Sequence, residues 1–192
     1  DYKVTGVQTC ALPILEPMIG AGGCIPSDPE FLHTLREETQ RTGALLIFDE
    51  VMTSRHGPSG LHGMLDIDPD LVTLGKYLGG GLSFGAFGGR AEILARFDPT
   101  DPNPWPHAGT FNNNVLSMSA GYAGLREVYT PKVADDFFAS GEAFRATLTE
   151  DLGRLNLPIH LTGLGSMIAI HFTAETPTAP YTPTLGQQQI QE

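Results

Sequence analysis

Cysteine is scarce in this chain of 192 residues: Cys10 and Cys24 are the only two, too few for a disulfide framework or a four-cysteine zinc site. A reducing compartment, the cytoplasm, is therefore expected. Basic residues are also few, 11 against 22 acidic ones, for a formal net charge of -11. Nucleic acids and anionic membranes are bound through basic patches that displace counterions, so neither is an expected partner. A single phosphate is not excluded, because a few backbone N–H groups and hydroxyls can hold one whatever the overall charge. No apolar run approaches the roughly 18 residues of a membrane-spanning helix, and no signal-peptide pattern opens the chain. His33, His56, His62, His160 and His171 lack metal-ligand spacing, and His107 reads as a loop histidine. The alternation Asp66, Asp68, Asp70 lacks the glycine and distal glutamate of a calcium loop, so no metal is expected.

What the chain does have is enough apolar residue, 41%, to bury the core of one ordinary domain. Ala44 to Phe48 is an apolar run that stops abruptly at Asp49 and Glu50, the pattern of a buried parallel strand with a carboxylate at its carboxyl end. Leu71 to Leu74 is a second short apolar strand, ending just before Lys76. A third strand is predicted within Ser83–Gly89. Ser27 with Glu30 reads as a capping box for a helix that uses Phe31, Leu32 and Leu35 and stops at Gly43. Ala91–Phe97 reads as a short helix and Asp98–Pro106, with four prolines, as a rigid loop. Asn114 caps a helix to about Tyr129 that offers Leu116, Ala120, Leu125 and Val128 for packing. After Thr130-Pro131, a helix over 132–155 carries Val133, Phe137, Phe144, Leu148, Leu152 and Leu155 at helical spacing. Leu161–Phe172 returns to strand chemistry around Gly163 and Gly165. The fold class is α/β, with a mostly parallel sheet and flanking helices.

Asp49 and Lys76 carry the sharpest chemical signal. Both leave predicted strand ends, and ligands of open α/β sheets bind at the carboxyl ends of strands. A carboxylate and an amine at one such edge match a pyridoxal phosphate site: the lysine forms a Schiff base and the acid pairs with the pyridinium nitrogen. An imine-forming lysine needs some neutral amine, which burial or a nearby cation promotes. The plainer alternatives are a turn-capping Asp49 and an exposed loop Lys76. Gly79, Gly80, Gly81, Gly85, Gly88 and Gly89 follow the lysine; a dinucleotide fingerprint would instead open a helix after its first strand, so these glycines are read as permitting close backbone approach. Gly109-Thr110-Phe111-Asn112 stands before a helix, where a hydroxyl and helix-start N–H groups can meet a phosphate, or where the loop does no more than cap.

With these residues in view, the chain resembles the class III pyridoxal-phosphate aminotransferases. The likeness is carried by Leu15-Glu16-Pro17-Met18, Leu46 to Thr53, Thr73 to Gly81 and His107 to Asn112, and runs from about Leu15 to Phe172. It is strongest toward the branch holding glutamate-1-semialdehyde aminomutases and β-amino-acid transaminases such as β-phenylalanine aminotransferase. The resemblance implies the large domain of the fold type I pyridoxal-phosphate transferases, with Lys76 as the Schiff-base lysine and Asp49 as the pyridinium partner. It also implies that Val51 packs on one face of the ring and that Thr110 reaches the cofactor phosphate of a neighbouring subunit, in a homodimer with shared active sites. The implied substrate is an amino acid or amino aldehyde. Ser54-Arg55, where many aminomutases have Gly-Phe before an arginine, and Val115, in place of a common proline, resemble the β-amino-acid transaminases.

Residues 1–14 fit poorly with the rest of the chain and read as a non-native junction. Residues 15–130 are expected to form part of the cofactor-binding large domain, 131–172 a helix and the start of a small carboxyl-terminal domain, and 173–192 a truncated tail. The family's phosphate loop, ring-stacking aromatic and substrate-carboxylate contacts would precede Leu15, so the segment is expected to be inactive alone. The competing readings are a non-catalytic binding or structural module that retains the fold, and a nucleotide-binding domain resting on glycine content only.

Overall fold

The structure, a computed structural model, describes residues 13–155, 157–173 and 175–178; nearly all of the anticipated junction segment and most of the tail lie outside the described residues. In chain order the elements are strands β1 (Ile14–Leu15), β2 (Met18–Ile19) and β3 (Ile25–Pro26), helix α1 (Pro29–Thr42), strand β4 (Ile47–Asp49), helix α2 (Gly60–Met64), strands β5 (Leu71–Gly75) and β6 (Gly85–Gly89), helices α3 (Ala91–Leu94), α4 (Val115–Ala123) and α5 (Pro131–Arg154), and strands β7 (Ile159–Leu164) and β8 (Met167–Phe172). The main sheet has the order β1-β4-β5-β6. β1, β4 and β5 are parallel, and β6 is antiparallel to β5. Among the described residues no helix is long and apolar enough to cross a membrane.

Helix α1 begins one residue later than a Ser27 cap would place it. Asp28 is the N-cap, its carboxylate accepting from Glu30 N at 2.9 Å. Pro29 is the cause: a fixed φ and a missing N–H suit the first helical position, which puts the cap on its predecessor. Gly43, at φ 74, ends the helix in the left-handed conformation as expected. Leu32 turns inward with Leu46, Phe48 and Ile67 to form the core between α1 and the sheet, each large side chain contributing about 1.5–3 kcal/mol by burial. Phe31 stays exposed.

The first core strand is displaced from 44–48 to Ile47–Asp49. Leu46 is fully buried, but its N–H donates to Asp70 Oδ2 at 2.8 Å and its carbonyl accepts from the Asp70 and Leu71 amides. Asp70, only 3% exposed, also accepts from Arg36 Nη1 of α1 at 2.9 Å and from Arg90 Nη1, just past β6, at 2.6 Å. Burial opposes ionisation of Asp70, but the Arg90, Leu46 and Arg36 donors outweigh it and hold its carboxyl below the usual carboxylate range.

Helix α4 is capped by Asn114, which accepts from Ser117 N at 3.2 Å, and continues as a π-helical turn through Gly124–Val128. Its inward residues are Ser117 and Gly121; Leu116, 71% exposed, and Leu125 and Val128 face outward. Gly121 is required here, since a Cβ would lie 2.6 Å from the Phe84 ring. The apolar stripe anticipated as the packing face of α5 is likewise exposed at Val133, Phe137, Phe144 and Leu155. Small residues set the inner face instead. Ala134 is buried, and Gly141 approaches the backbone of Gly165 and Ser166 so closely that no Cβ fits.

That approach seats the β7–β8 hairpin on α5. The Gly165 N–H donates to Glu142 Oε1 at 2.6 Å, and Thr162 Oγ1 bonds the Gly23 carbonyl and His171 Nε2. His56, 2% exposed, is wedged between this turn and α5, its ring edge-on to Phe138 at 5.8 Å. Its ring nitrogens have no hydrogen-bond partner among the described residues. Burial, and then Arg55, push its pKa down to about 4 against weaker opposing effects of Glu50 and Glu142.

Urea denaturation of the full-length protein that carries this segment should give two results. Asp70→Ala leaves Arg36 and the Leu46 amide without their anion and is expected to cost about 3–5 kcal/mol; a loss under 1 kcal/mol would show that the sheet does not rely on it. His56 binds a proton more weakly folded than unfolded, so its contribution to stability declines as pH falls from about 6.5 toward about 4. The wild type should therefore lose about 2 kcal/mol more than His56→Phe between pH 7 and pH 5, and equal losses would contradict a neutral buried imidazole.

Candidate active site

Asp49 is the last residue of β4, and Lys76 directly follows the last residue of β5. Parallel pairing therefore brings a carboxylate and an amine to the same edge of the sheet. The register sets Asp49 opposite Thr73. Thr73 Oγ1 donates to Asp49 Oδ1 at 3.0 Å, and the Val51 N–H donates to the same oxygen at 3.0 Å. One carboxylate oxygen is thus held by two donors. Among the described residues no hydrogen-bond donor meets the other, Oδ2.

Lys76 has φ 53, a left-handed conformation that costs a residue with a Cβ about 1–2 kcal/mol. Its flanks hold it there. On one side a Cβ at Gly75 would lie 3.1 Å from the Phe84 carbonyl oxygen and 3.5 Å from Val51 Cγ1, so glycine lets β5 end in close contact with these groups. On the other side Lys76–Gly79 forms a 3₁₀ turn closed by the Gly80 N–H donating to Tyr77 O at 3.1 Å. A Cβ at Gly79 would meet Phe84 Cβ at 2.8 Å. Phe84 therefore fits between Gly79 and Gly121 and ties the lysine turn to α4. The buried lysine expected from sequence is not found in this segment, where Lys76 is exposed.

Val51 is half-buried, with its methyl groups against Gly75. Thr110 lies in an exposed loop in which the Asn112 N–H donates to Gly109 O at 3.1 Å and Asn113 has φ 59. No hydrogen bond among the described residues joins Thr110 to Asp49, Val51 or Lys76. Between that loop and the sheet is an open cavity of ≈ 670 Å³ whose walls include Thr73, Ala86, His107, Phe111 and Ser117. The structure thus unites Asp49, Val51 and the Lys76 backbone at one edge and leaves Thr110 without a bond to any of them.

Three contributors escaped the sequence reading. Thr73 opens one of the segments of family likeness but has no role assigned there, and only the strand register reveals its bond to Asp49. Glu50, 1% exposed, turns to the other side of the sheet from Asp49; its carboxylate accepts from the Leu61 and His62 amides at 2.9 and 2.7 Å and meets His62 Nδ1 at 2.7 Å. It anchors the start of α2 beneath the site, and the Asp49-Glu50 doublet was its one signal. The third is an aromatic clamp. Tyr77 stacks edge-on with Tyr129 at 5.0 Å, and the Arg55 guanidinium lies over the Tyr77 ring at 5.1 Å. The Tyr129 hydroxyl donates to the Arg55 carbonyl, and Arg55 Nε donates to Met52 O at 3.1 Å. Burial, then Tyr77, push the Tyr129 hydroxyl up to about 12, so it stays a donor. Among the described residues no group of three His, Cys, Asp or Glu side chains is placed to hold a metal ion.

Comparison with known proteins places this geometry. The profile of the family described as aminotransferase class-III matches residues 2–189. β-Phenylalanine transaminase of Variovorax paradoxus is 54% identical over 162 residues, which are 84% of this chain and 37% of that protein. Glutamate-1-semialdehyde 2,1-aminomutase 2 of Bacillus mycoides (strain KBAB4) is 44% identical over 163 residues, 84% of this chain and 37% of its own length. The crystal structure of the V. paradoxus β-phenylalanine aminotransferase superposes with a TM-score of 0.85 at 49% identity, covering 92% of this chain and 41% of that one. An ω-transaminase from Sphaerobacter thermophilus superposes with a TM-score of 0.80 at 40% identity, covering 88% of this chain and 39% of that one. The chain thus spans about two fifths of the length of these relatives, and its mostly parallel sheet is that of the fold type I pyridoxal-phosphate transferases. A family match across nearly its whole length makes this chain a member of the class III aminotransferases.

Proposed function

We propose that the complete protein transfers amino groups with pyridoxal phosphate, through Lys76 and Asp49, and acts on a β-amino acid. The observation that carries this reading is that adjacent parallel strands end in Asp49 and just before Lys76, with neither the lysine amine nor the second carboxylate oxygen hydrogen-bonded among the described residues. That donor set fits the cofactor. Pyridoxal phosphate supplies an aldehyde that bonds a primary amine and a protonated ring that accepts the electron pair of a departing substrate proton. Lys76 would hold the cofactor through Nζ and would carry the proton of the substrate carbon. Asp49, its Oδ1 fixed by Thr73 and the Val51 amide, would keep the ring nitrogen protonated through its other oxygen. Val51 offers its methyl groups to one face of the ring.

Thr110 belongs, in this reading, to the phosphate site of a second copy, which accords with its lack of any bond to its own Asp49 and Lys76. The exposed apolar side chains Phe111, Val115, Leu116 and Tyr122 are the surface such a copy would cover, in a homodimer of a cytoplasmic enzyme. Residues 15–130 form part of the large domain, and 131–172 begin the small one. The chain spans about two fifths of the length of these relatives, and the activity proposed is that of the complete protein. A β-amino-acid transaminase is favoured over an aminomutase by Ser54-Arg55 and by 54% against 44% identity to the two kinds of relative. A non-catalytic module is not favoured, since it gives no reason to keep both Asp49 and Lys76.

The test is turnover by the full-length protein. β-Phenylalanine with a 2-oxo acid acceptor should give a keto product and an aminated acceptor, and Asp49→Ala should slow this by roughly two to four orders of magnitude without loss of fold. Isomerisation of glutamate-1-semialdehyde with no acceptor requirement would overturn the transaminase reading in favour of the mutase.

A further inference from the structure

We infer that Tyr77, held by Arg55 and Tyr129, is a positioning residue for the Lys76 amine. The inference rests on the reading of Lys76 as the cofactor lysine. Lys76 sits in a left-handed conformation at φ 53 and is exposed, so packing of its own side chain does not hold it there. A strained backbone persists when its surroundings over-determine it. Gly75 and Phe84 do so from the amino side. On the carboxyl side the next residue is Tyr77, and its ring is gripped from two directions, by the Arg55 guanidinium at 5.1 Å and the Tyr129 ring at 5.0 Å.

The grip joins three separate segments. Arg55 lies in the 3₁₀ turn Thr53–His56, just after Asp49 and Val51, and its Nε is oriented by Met52 O. Tyr129 ends the π-helical turn between α4 and α5, and its hydroxyl bonds the Arg55 carbonyl. A π-turn often marks a functional position in a helix; here it delivers Tyr129 to the clamp. The Thr53–His56 turn that follows Asp49 and the turn that carries Lys76 are thereby fastened to each other through Tyr77. Arg55 has no carboxylate partner among the described residues, so its role within the segment is the stacking and the carbonyl bond. None of Arg55, Tyr77 and Tyr129 is hydrogen-bonded to Asp49 or Lys76 among the described residues.

The experiment compares full-length wild type with Tyr77→Leu, Tyr77→Phe, Arg55→Lys and Tyr129→Phe. Three quantities are read: the rate of Lys76 acylation in the apo-protein by an amine-reactive reagent, quantified by peptide mass spectrometry; the circular dichroism induced in the bound cofactor's absorption band; and kcat and KM for the amino donor. Tyr77→Leu and Arg55→Lys should change the acylation rate severalfold, lower the induced signal, and reduce kcat about tenfold or more with KM nearly constant. Tyr77→Phe keeps the stacked ring and should match the wild type, and Tyr129→Phe, losing only one hydroxyl, should fall between. Tyr77→Leu with wild-type acylation, induced signal and kcat would overturn the inference, as would a rise in KM alone. If the wild type shows no cofactor band, the functional reading fails, and the clamp is still decided by the acylation rates.

Discussion

The carboxylate of Asp70 is the constraint on which the arrangement of the sheet depends. It is almost fully buried and gathers donors from α1, from the start of β4 and from the residue after β6. An ion pair in that environment adds little net stability over a well-packed apolar core, but removing one partner is costly. Its effect is register. With Leu46 tied to Asp70 by both its N–H and its carbonyl, Ile47 must pair with Leu71, Phe48 with Val72 and Asp49 with Thr73. A slip of one residue would turn Asp49 to the opposite face. The chemistry at the carboxyl end of the sheet is therefore set by a charge cluster at its amino end.

That register determines the local geometry. Side chains alternate along a strand, so Asp49 and Glu50 leave β4 on opposite sides. One meets Thr73 and the edge where Lys76 emerges; the other is consumed in capping α2. The glycines around Lys76 divide in the same way. At Gly79 the Phe84 side chain leaves no room for a Cβ, at Gly75 the Phe84 carbonyl leaves little, and Gly80 supplies a left-handed turn at φ 58. Both devices bring the loop back over β5 as the antiparallel strand β6, and together they fix the direction in which the lysine leaves the sheet.

Much of this was legible in the residues. Abrupt changes from apolar to acidic or basic character marked the ends of β4 and β5, Gly43 and Asn114 marked helix boundaries by their capping chemistry, and Thr130-Pro131 marked the break before α5. The failures at α4 and α5 have one physical origin: amphipathic spacing identifies a face able to pack, not what it packs against. Val133, Phe137 and Phe144 repeat at helical spacing, yet α5 turns Ala134 and Gly141 inward, because backbone-to-backbone approach at Gly165 needs small residues. Leu116 and Val128 of α4 point outward for the same reason, with Gly121 taking the Phe84 ring. Thr73 and the Arg55–Tyr77–Tyr129 clamp were invisible for a different reason: their partners are distant in sequence, and only the folded chain brings them together.

The central claim is that the amine delivered by β5 is the one that holds the cofactor. The most direct measurement is borohydride reduction of the full-length protein after incubation with pyridoxal phosphate, then digestion and mass spectrometry of the modified peptide. The account requires a stoichiometric phosphopyridoxyl adduct on Lys76, lost in Lys76→Ala. A folded protein with no adduct, or with the adduct on Lys132, would contradict it.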